Sequence, residues 1–138
     1  LVIGICLLIL VMIAFLIWVL VQRHKSKVLK RKFDSEDARE AVRAMFEYTM
    51  NILAAAGLNI RNTSLYRYEK QIAKMFDEET AAEYHHIADI RQEAVYSSNE
   101  MTPEQKAQMM AFKEKIWKRI YTNGTLIQKL QLKYIYFL

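Results

Sequence analysis

Twenty-two consecutive residues without a charge, Leu1 to Gln22 (LVIGICLLILVMIAFLIWVLVQ), constrain this chain more than anything that follows them. The hydrocarbon core of a bilayer is about 30 Å thick, and at about 1.5 Å rise per residue a helix needs roughly 20 apolar residues to cross it. The run meets that length and predicts a transmembrane helix. RHKSKVLKRK, Arg23 to Lys32, follows at once with six Lys or Arg and no acid. Basic juxtamembrane segments stay on the cytoplasmic side. The expectation is a cytosolic domain after this collar and an outward-facing Leu1.

A cleaved signal peptide would carry its positive charge before a shorter apolar core and a small-residue cleavage site after it. Here the charge comes after the core, and no A-x-A pattern follows. The first residue is Leu, not Met, so the chain reads as the last span and cytosolic end of a larger protein.

The net charge of +5 is unevenly spread. All fifteen acids and fourteen of the twenty basic residues lie after Lys32, which leaves the domain at −1 and the collar at +6. Arg23, Lys25, Lys27, Lys30, Arg31 and Lys32 are therefore assigned to membrane-surface contact. Each such cation attracts anionic inner-leaflet headgroups by roughly 1 kcal/mol. The basic residues lack interleaved aromatics and any recognised motif, so nucleic acid is not expected as a partner. The lone Cys6 lies inside the apolar run, which excludes a disulfide within the chain and points away from thiolate metal ligation. It reads as a small residue facing lipid or a partner helix.

Beyond the collar, Gly and Pro are rare and helical periodicity dominates. A first soluble helix is predicted from about Ser35 to Ala56, with Asp34 or Ser35 as its N-cap. Its apolar face is Ala38, Val42, Met45, Phe46, Thr49, Met50 and Leu53, and Gly57 supplies a left-handed stop. A second helix fits Leu65 to Phe76, capped by Thr63 or Ser64, with Leu65, Tyr68, Ile72, Met75 and Phe76 as its stripe. A third fits Thr80 to about Ser97 and aligns Tyr84, Ile87, Ala88, Arg91, Ala94 and Val95. Arg91 on that stripe reads as an internal, hydrogen-bonding structural residue. The fourth start is Thr102-Pro103-Glu104-Gln105: a Thr cap, a Pro at the first helical position and a Gln three residues on. That helix should reach about Tyr121, burying Met109, Phe112, Ile116, Trp117 and Ile120, and Asn123-Gly124 should stop it. The tail from Leu126 to Leu138 is apolar and aromatic, reads as neither clear helix nor clear strand, and should pack on the domain or the membrane surface.

No catalytic, cofactor-binding or metal-binding set emerges. His85 and His86 are adjacent, so they point about 100° apart on a helix and cannot share a metal as an i, i+4 pair would. Asp77, Glu78, Glu79 and Glu83 coincide with a helix start, where acids favour the dipole. Ser97-Ser98 and Thr63-Ser64 are cap and loop residues without a partnering base. There is no Gly-rich phosphate loop or nucleophile motif.

The segment order carries a resemblance. An apolar span, a basic collar and AREAVRAMFEYTMNILAAAGL (Ala38 to Leu58) resemble the C-terminal end of bacterial membrane-bound transglutaminase-like proteins. In that family a last membrane helix leads into a small helical domain of unknown function. NTSLYRYEKQIAKMF (Asn62 to Phe76), EAVYSSNEMTPEQ (Glu93 to Gln105) and KEKIWKRIY (Lys113 to Tyr121) are similar in kind and order, with Tyr96 and the caps as the firmest points. Val95 departs from the pattern, which has Arg there. The resemblance implies an extracytoplasmic Cys-His-Asp catalytic domain before Leu1, none of whose residues maps onto this chain; Cys6 is not that nucleophile.

The expected architecture is all-α. It has a transmembrane helix at 1–22, a basic juxtamembrane segment at 23–33 and a helical domain of about four helices at 34–138. The expected role is non-catalytic: a membrane-tethered cytosolic accessory or interaction domain with an unidentified protein partner. The alternative is a signalling connector or adaptor behind a different sensor domain, in which span and collar form one rod. A sustained heptad seam would mark that rod, and the Lys-rich collar interrupts one.

Overall fold

The first helix does not end where the charges begin. The computed structural model describes residues 1–61 and 64–123, and in it helix α1 runs unbroken from Val2 to Lys32. No Gly or Pro lies between Ile5 and Ala56 to break it. Lys30, Arg31 and Lys32 occupy its last turn, where cations favour the negative end of the helix dipole. Its most apolar eighteen-residue stretch has no buried residue, and the helix is long and apolar enough to cross a membrane by length and composition.

Four further α-helices follow: α2 (Ala38–Ala55), α3 (Glu69–Met75), α4 (Glu78–Tyr96) and α5 (Pro103–Asn123), with a 3-10 turn at Leu65–Tyr68. The described regular structure is all helical, as the periodicity predicts. The boundaries differ in informative ways. The cap of α2 is Asp37, which accepts from the Arg39 amide at 3.0 Å, rather than Asp34 or Ser35. Ser35 accepts from the Asp37 amide and donates to Glu40, bracing that cap from outside. The expected second helix divides into the 3-10 turn and α3, and Ser64 makes no side-chain cap bond. Helix α4 starts two residues before Thr80, because Asp77 caps it through the Thr80 amide at 2.7 Å. Thr63, Gly124 and the tail 125–138 lie outside the described residues.

Two ends follow their sequence signals closely. Gly57 has φ 113°, a conformation that costs Gly little and other residues much. The Leu58 amide bonds the Leu53 carbonyl and the Gly57 amide bonds Ala54, which together close a Schellman motif. At α5, the Thr102 hydroxyl accepts from the Gln105 amide at 3.1 Å while the Gln105 side chain accepts from the Thr102 amide at 2.9 Å. That reciprocal box satisfies two otherwise orphaned donors.

Helix α2 is the centre of the bundle, packed by α1, α4 and α5. It buries Ala41, Ala44, Tyr48 and Ile52 beyond the predicted face, because three neighbours leave it no wide solvent side. Tyr84, Met45, Ile52, Leu53, Ile72, Met109 and Ile116 fill the core. Tyr84 donates to the Leu65 carbonyl at 3.0 Å, so its buried hydroxyl is satisfied, and burial raises its pKa. Arg91 is part-buried rather than fully internal: it donates to the Gln92 side chain at 3.2 Å, in keeping with the hydrogen-bonding role expected, and lies 5.8 Å over the Phe46 ring, capping the core with its planar face.

Contacts fix the directions. Arg39 meets the end of α4, while Phe46 meets Tyr84, so α2 and α4 are antiparallel. Asp77 pairs with Arg119 and Glu93 with Gln105, so α4 and α5 are antiparallel. Gln22 lies by Asn51, while Lys32 lies by Asp37, so α2 runs back along α1 toward the apolar run. The α2 C-terminus, the α4 N-terminus and the α5 C-terminus therefore share the end of the bundle nearest the span.

Candidate functional site

The six collar cations are all exposed. A helical wheel divides them. Arg23, Lys27, Lys30 and Arg31 recur at i, i+4, i+7 and i+8 along one flank, whereas Lys25 and Lys32 occupy the other. Between the flanks, Ser26 and Leu29 are buried, with Phe33 following at 8% exposure. The seam that the lysines mask in the sequence is thus present, short, and directed at α2. Lys25 and Lys32 face Glu47 across one shallow surface depression.

The other flank meets α5. Lys30, Lys113 and Lys118 line an open pocket of about 390 Å³ with Tyr48, Glu114 and Trp117. Lys113 lies 4.6 Å over the Phe33 ring and 5.3 Å over Tyr48, and Lys30 lies 5.8 Å over the same Tyr48 ring. Phe33 and Tyr48 meet edge to face at 5.2 Å, which holds this aromatic floor in place. Burial lowers the Lys113 pKa; Glu114 opposes that shift, Lys30 adds to it, and Asp34 opposes it. Burial pushes the Tyr48 phenol up to about 12. Trp117 stacks on Tyr121 at 4.8 Å.

A second polar cluster joins the 3-10 turn, α3 and α4. His85 Nδ1 bonds Glu69, and its Nε2 lies 3.6 Å from Asp89, which also accepts from the Tyr66 hydroxyl at 2.6 Å. The Glu69 hydrogen bond raises the His85 pKa against the opposing effect of desolvation, and the charges of Glu69 and Asp89 add to the rise. Asp89 lies one turn along α4 from this histidine, whereas Glu69 comes from α3, sixteen residues earlier, a pairing that helical spacing does not show. His86 points elsewhere, to Gln108 at 2.9 Å. Among the described residues no group of three His, Cys, Asp or Glu side chains could hold a metal. The pair Glu83 and Lys115 bridges α4 to α5 at 2.5 Å.

The acidic start of α4 is tied down by α5. Arg119 pairs with Asp77 at 2.8 Å, donates to the Thr80 hydroxyl at 3.0 Å and covers the Phe76 ring at 5.3 Å. Hydrogen bonds from Thr80 and Arg119 hold the Asp77 carboxyl well below the usual carboxylate range. These groups fasten helices together; they aim no nucleophile or base into a cavity. No family model matches this chain, and neither a curated protein nor a solved structure does.

Proposed function

We propose that this chain is a non-catalytic, membrane-tethered accessory domain whose α1 anchors a cytosolic helical bundle at an anionic membrane surface. One observation carries the reading: the helix that is apolar and uncovered along its first part continues without a break into basic turns docked on the bundle. The domain is held at a fixed height from the bilayer, which suits a surface that meets a protein partner there. The basic flanks face the anionic leaflet, and the positive-inside rule places them in the cytosol.

The test is topology. A reporter fused after Leu138 that works only in the cytosol should be active in the native chain. Replacing Arg23, Lys25, Lys27, Lys30, Arg31 and Lys32 by Gln should move a large fraction of it to the other side. A reporter that stays wholly cytosolic after those changes removes the charge argument, and one that is outside in the native chain removes the cytosolic assignment.

The further proposal, carried by segment order alone, is that the domain serves a transglutaminase-like membrane protein. Antibodies to the α5 segment would isolate the native polypeptide from membranes. Tryptic peptides from a Cys-His-Asp catalytic domain on the same polypeptide support that parent, and a sensor domain there refutes it. The uninterrupted helix also favours the connector reading. Two glycines inserted after Gln22 would break such a rod: a connector loses its output, whereas an anchor keeps its location.

A further inference from the structure

Outside α1, only two large apolar side chains among the described residues stand exposed, Ile60 and Tyr96. They lie at opposite ends of the bundle. Tyr96 ends α4 near Arg39 in the first turn of α2, away from the span, whereas Ile60 follows the C-terminus of α2, which points toward it. We propose that the span-side end of the bundle rests in the headgroup layer of the membrane, with the Ile60 side chain inserted where headgroups meet acyl chains. The inference rests on the membrane-tether reading above and goes beyond it, since it gives the bundle a lipid contact of its own, apart from α1 and its cations.

Height is the first argument. Asn51 of α2 lies by Gln22, the last residue of the apolar run, and α2 continues past it to Ala55, about 6 Å nearer the membrane at 1.5 Å per residue. Val19 and Gln22 are part-buried, and with the buried Ser26, Leu29 and Phe33 they recur at alternating steps of three and four residues. Such spacing keeps one face of a helix in register, so the docked face of α1 continues into the apolar run. The headgroup layer adds roughly 5–8 Å to each side of the hydrocarbon core. The end of the bundle is therefore level with that layer.

Presentation is the second. The chain is pinned on both sides of Ile60. Before it, Leu58 is buried and the Asn59 amide donates to the Gln71 side chain at 3.1 Å. After it, the Arg61 amide donates to the Tyr68 hydroxyl at 3.0 Å, and that hydroxyl donates in turn to the Arg61 carbonyl. An apolar side chain held out on a fixed loop needs little further ordering to enter a lipid surface. Glu78 and Glu79 set the depth. Both are exposed in the first turn of α4, at this same end. Carboxylates are costly in hydrocarbon, so the contact stops among the hydrated headgroups and only Ile60 reaches the acyl boundary.

The two exposed positions provide the test. The chain has two tryptophans, Trp18 and Trp117, and replacing both by Phe leaves a background without any. Ile60→Trp or Tyr96→Trp in that background then places one reporter at either end of the bundle. The full chain would be assembled in phosphatidylcholine nanodiscs, with the lipid either plain or brominated near the headgroup end of its acyl chains. Bromine quenches tryptophan only at close range, so the Ile60→Trp variant should lose roughly half of its emission and the Tyr96→Trp variant almost none. Should Ile60→Trp lose helical circular dichroism, Asn59→Trp, exposed one residue earlier, takes its place with the same expectation. Trp117→Phe alone keeps Trp18 as the check on the span, and its emission should be quenched. Equal quenching at the two ends, or none from the span-side reporter, overturns the bundle contact while a quenched Trp18 leaves the tether standing. A Trp18 that escapes quenching refutes the tether and the contact together.

Discussion

Arg39, in the first turn of α2, donates to the carbonyl of Ala94 at 2.7 Å, near the end of α4. The same guanidinium reaches Ser97 at 2.5 Å and Asn99 at 2.5 Å. The last carbonyls of a helix have no partner within it, so α4 borrows its C-terminal cap from another helix. Arg39→Ala should lower stability by about 1–3 kcal/mol, because part-buried acceptors lose charge-assisted bonds and the stem loses its packing. Arg39→Lys should recover only part, since an ammonium cannot span three carbonyls as a planar fork does. Thermal unfolding of the full chain in detergent, followed by circular dichroism, measures both. An Arg39→Ala variant as stable as the parent would remove the cross-helix cap.

Arg39 also shows where sequence reasoning stops. A basic residue in a first turn opposes the helix dipole and looks like an ordinary surface charge; its worth depends on α4 ending beside it. Local chemistry was legible: Gly57 and the Thr102–Gln105 box act through residues within five positions of one another. Residues whose role depends on a distant helix were not. Ser26 gave no apolar signal, so the seam with Leu29 and Phe33 vanished among lysines. Arg91 looked internal because its stripe is apolar, yet its long side chain carries the guanidinium out over the Phe46 ring, where it stays partly exposed. Asp34, Ser35 and Asp37 are all competent caps, and the choice among them depends on α1 continuing to Lys32.

The α5 capping box offers a local contrast. Thr102→Ala removes the acceptor for the Gln105 amide and should cost about 0.5–2 kcal/mol. Gln105→Ala should cost less at the cap, though it also breaks the 2.8 Å bond from Gln105 to Glu93. The two losses should be non-additive in the double variant, because the box is reciprocal. Urea unfolding of the two single variants and the double variant measures the coupling; full additivity would mean the two side chains act independently.

Two groups should give stability opposite pH dependence. The folded pKa of His85 is raised by Glu69, with Asp89 adding to it, while Tyr66 shares Asp89. Its contribution is full below the unfolded value of 6.5 and disappears as pH rises through the folded value. Asp77 is lowered by Thr80 and Arg119, so its contribution is full above the unfolded value of 3.8 and disappears as pH falls toward the folded value. His85→Gln should flatten the melting-temperature profile as pH rises above the unfolded value of 6.5 and leave the acid limb alone. Asp77→Asn should do the reverse. Profiles that both variants alter alike would assign the pH response to overall charge instead.

The docking of α1 depends on one face of a helix whose neighbouring residues are charged. Leu29 is 9% exposed against α2, whereas Val28, one position earlier, is 37% exposed and faces away. The two side chains are of similar hydrophobicity, so composition cannot distinguish them and only the rotation of α1 does. Leu29→Ala should weaken docking by about 2 kcal/mol, the low end for a buried leucine at a partly open site. Val28→Ala should change it by a few tenths at most. Hydrogen exchange of the full chain in nanodiscs measures this at the amides of residues 24–32. Undocking exposes one side of a surviving helix, so exchange there should speed up roughly tenfold or more in Leu29→Ala, with the α4 amides unaffected. Equal protection in the two variants would mean that α1 runs past the bundle without being held by it, and the fixed height on which the tether depends would be lost.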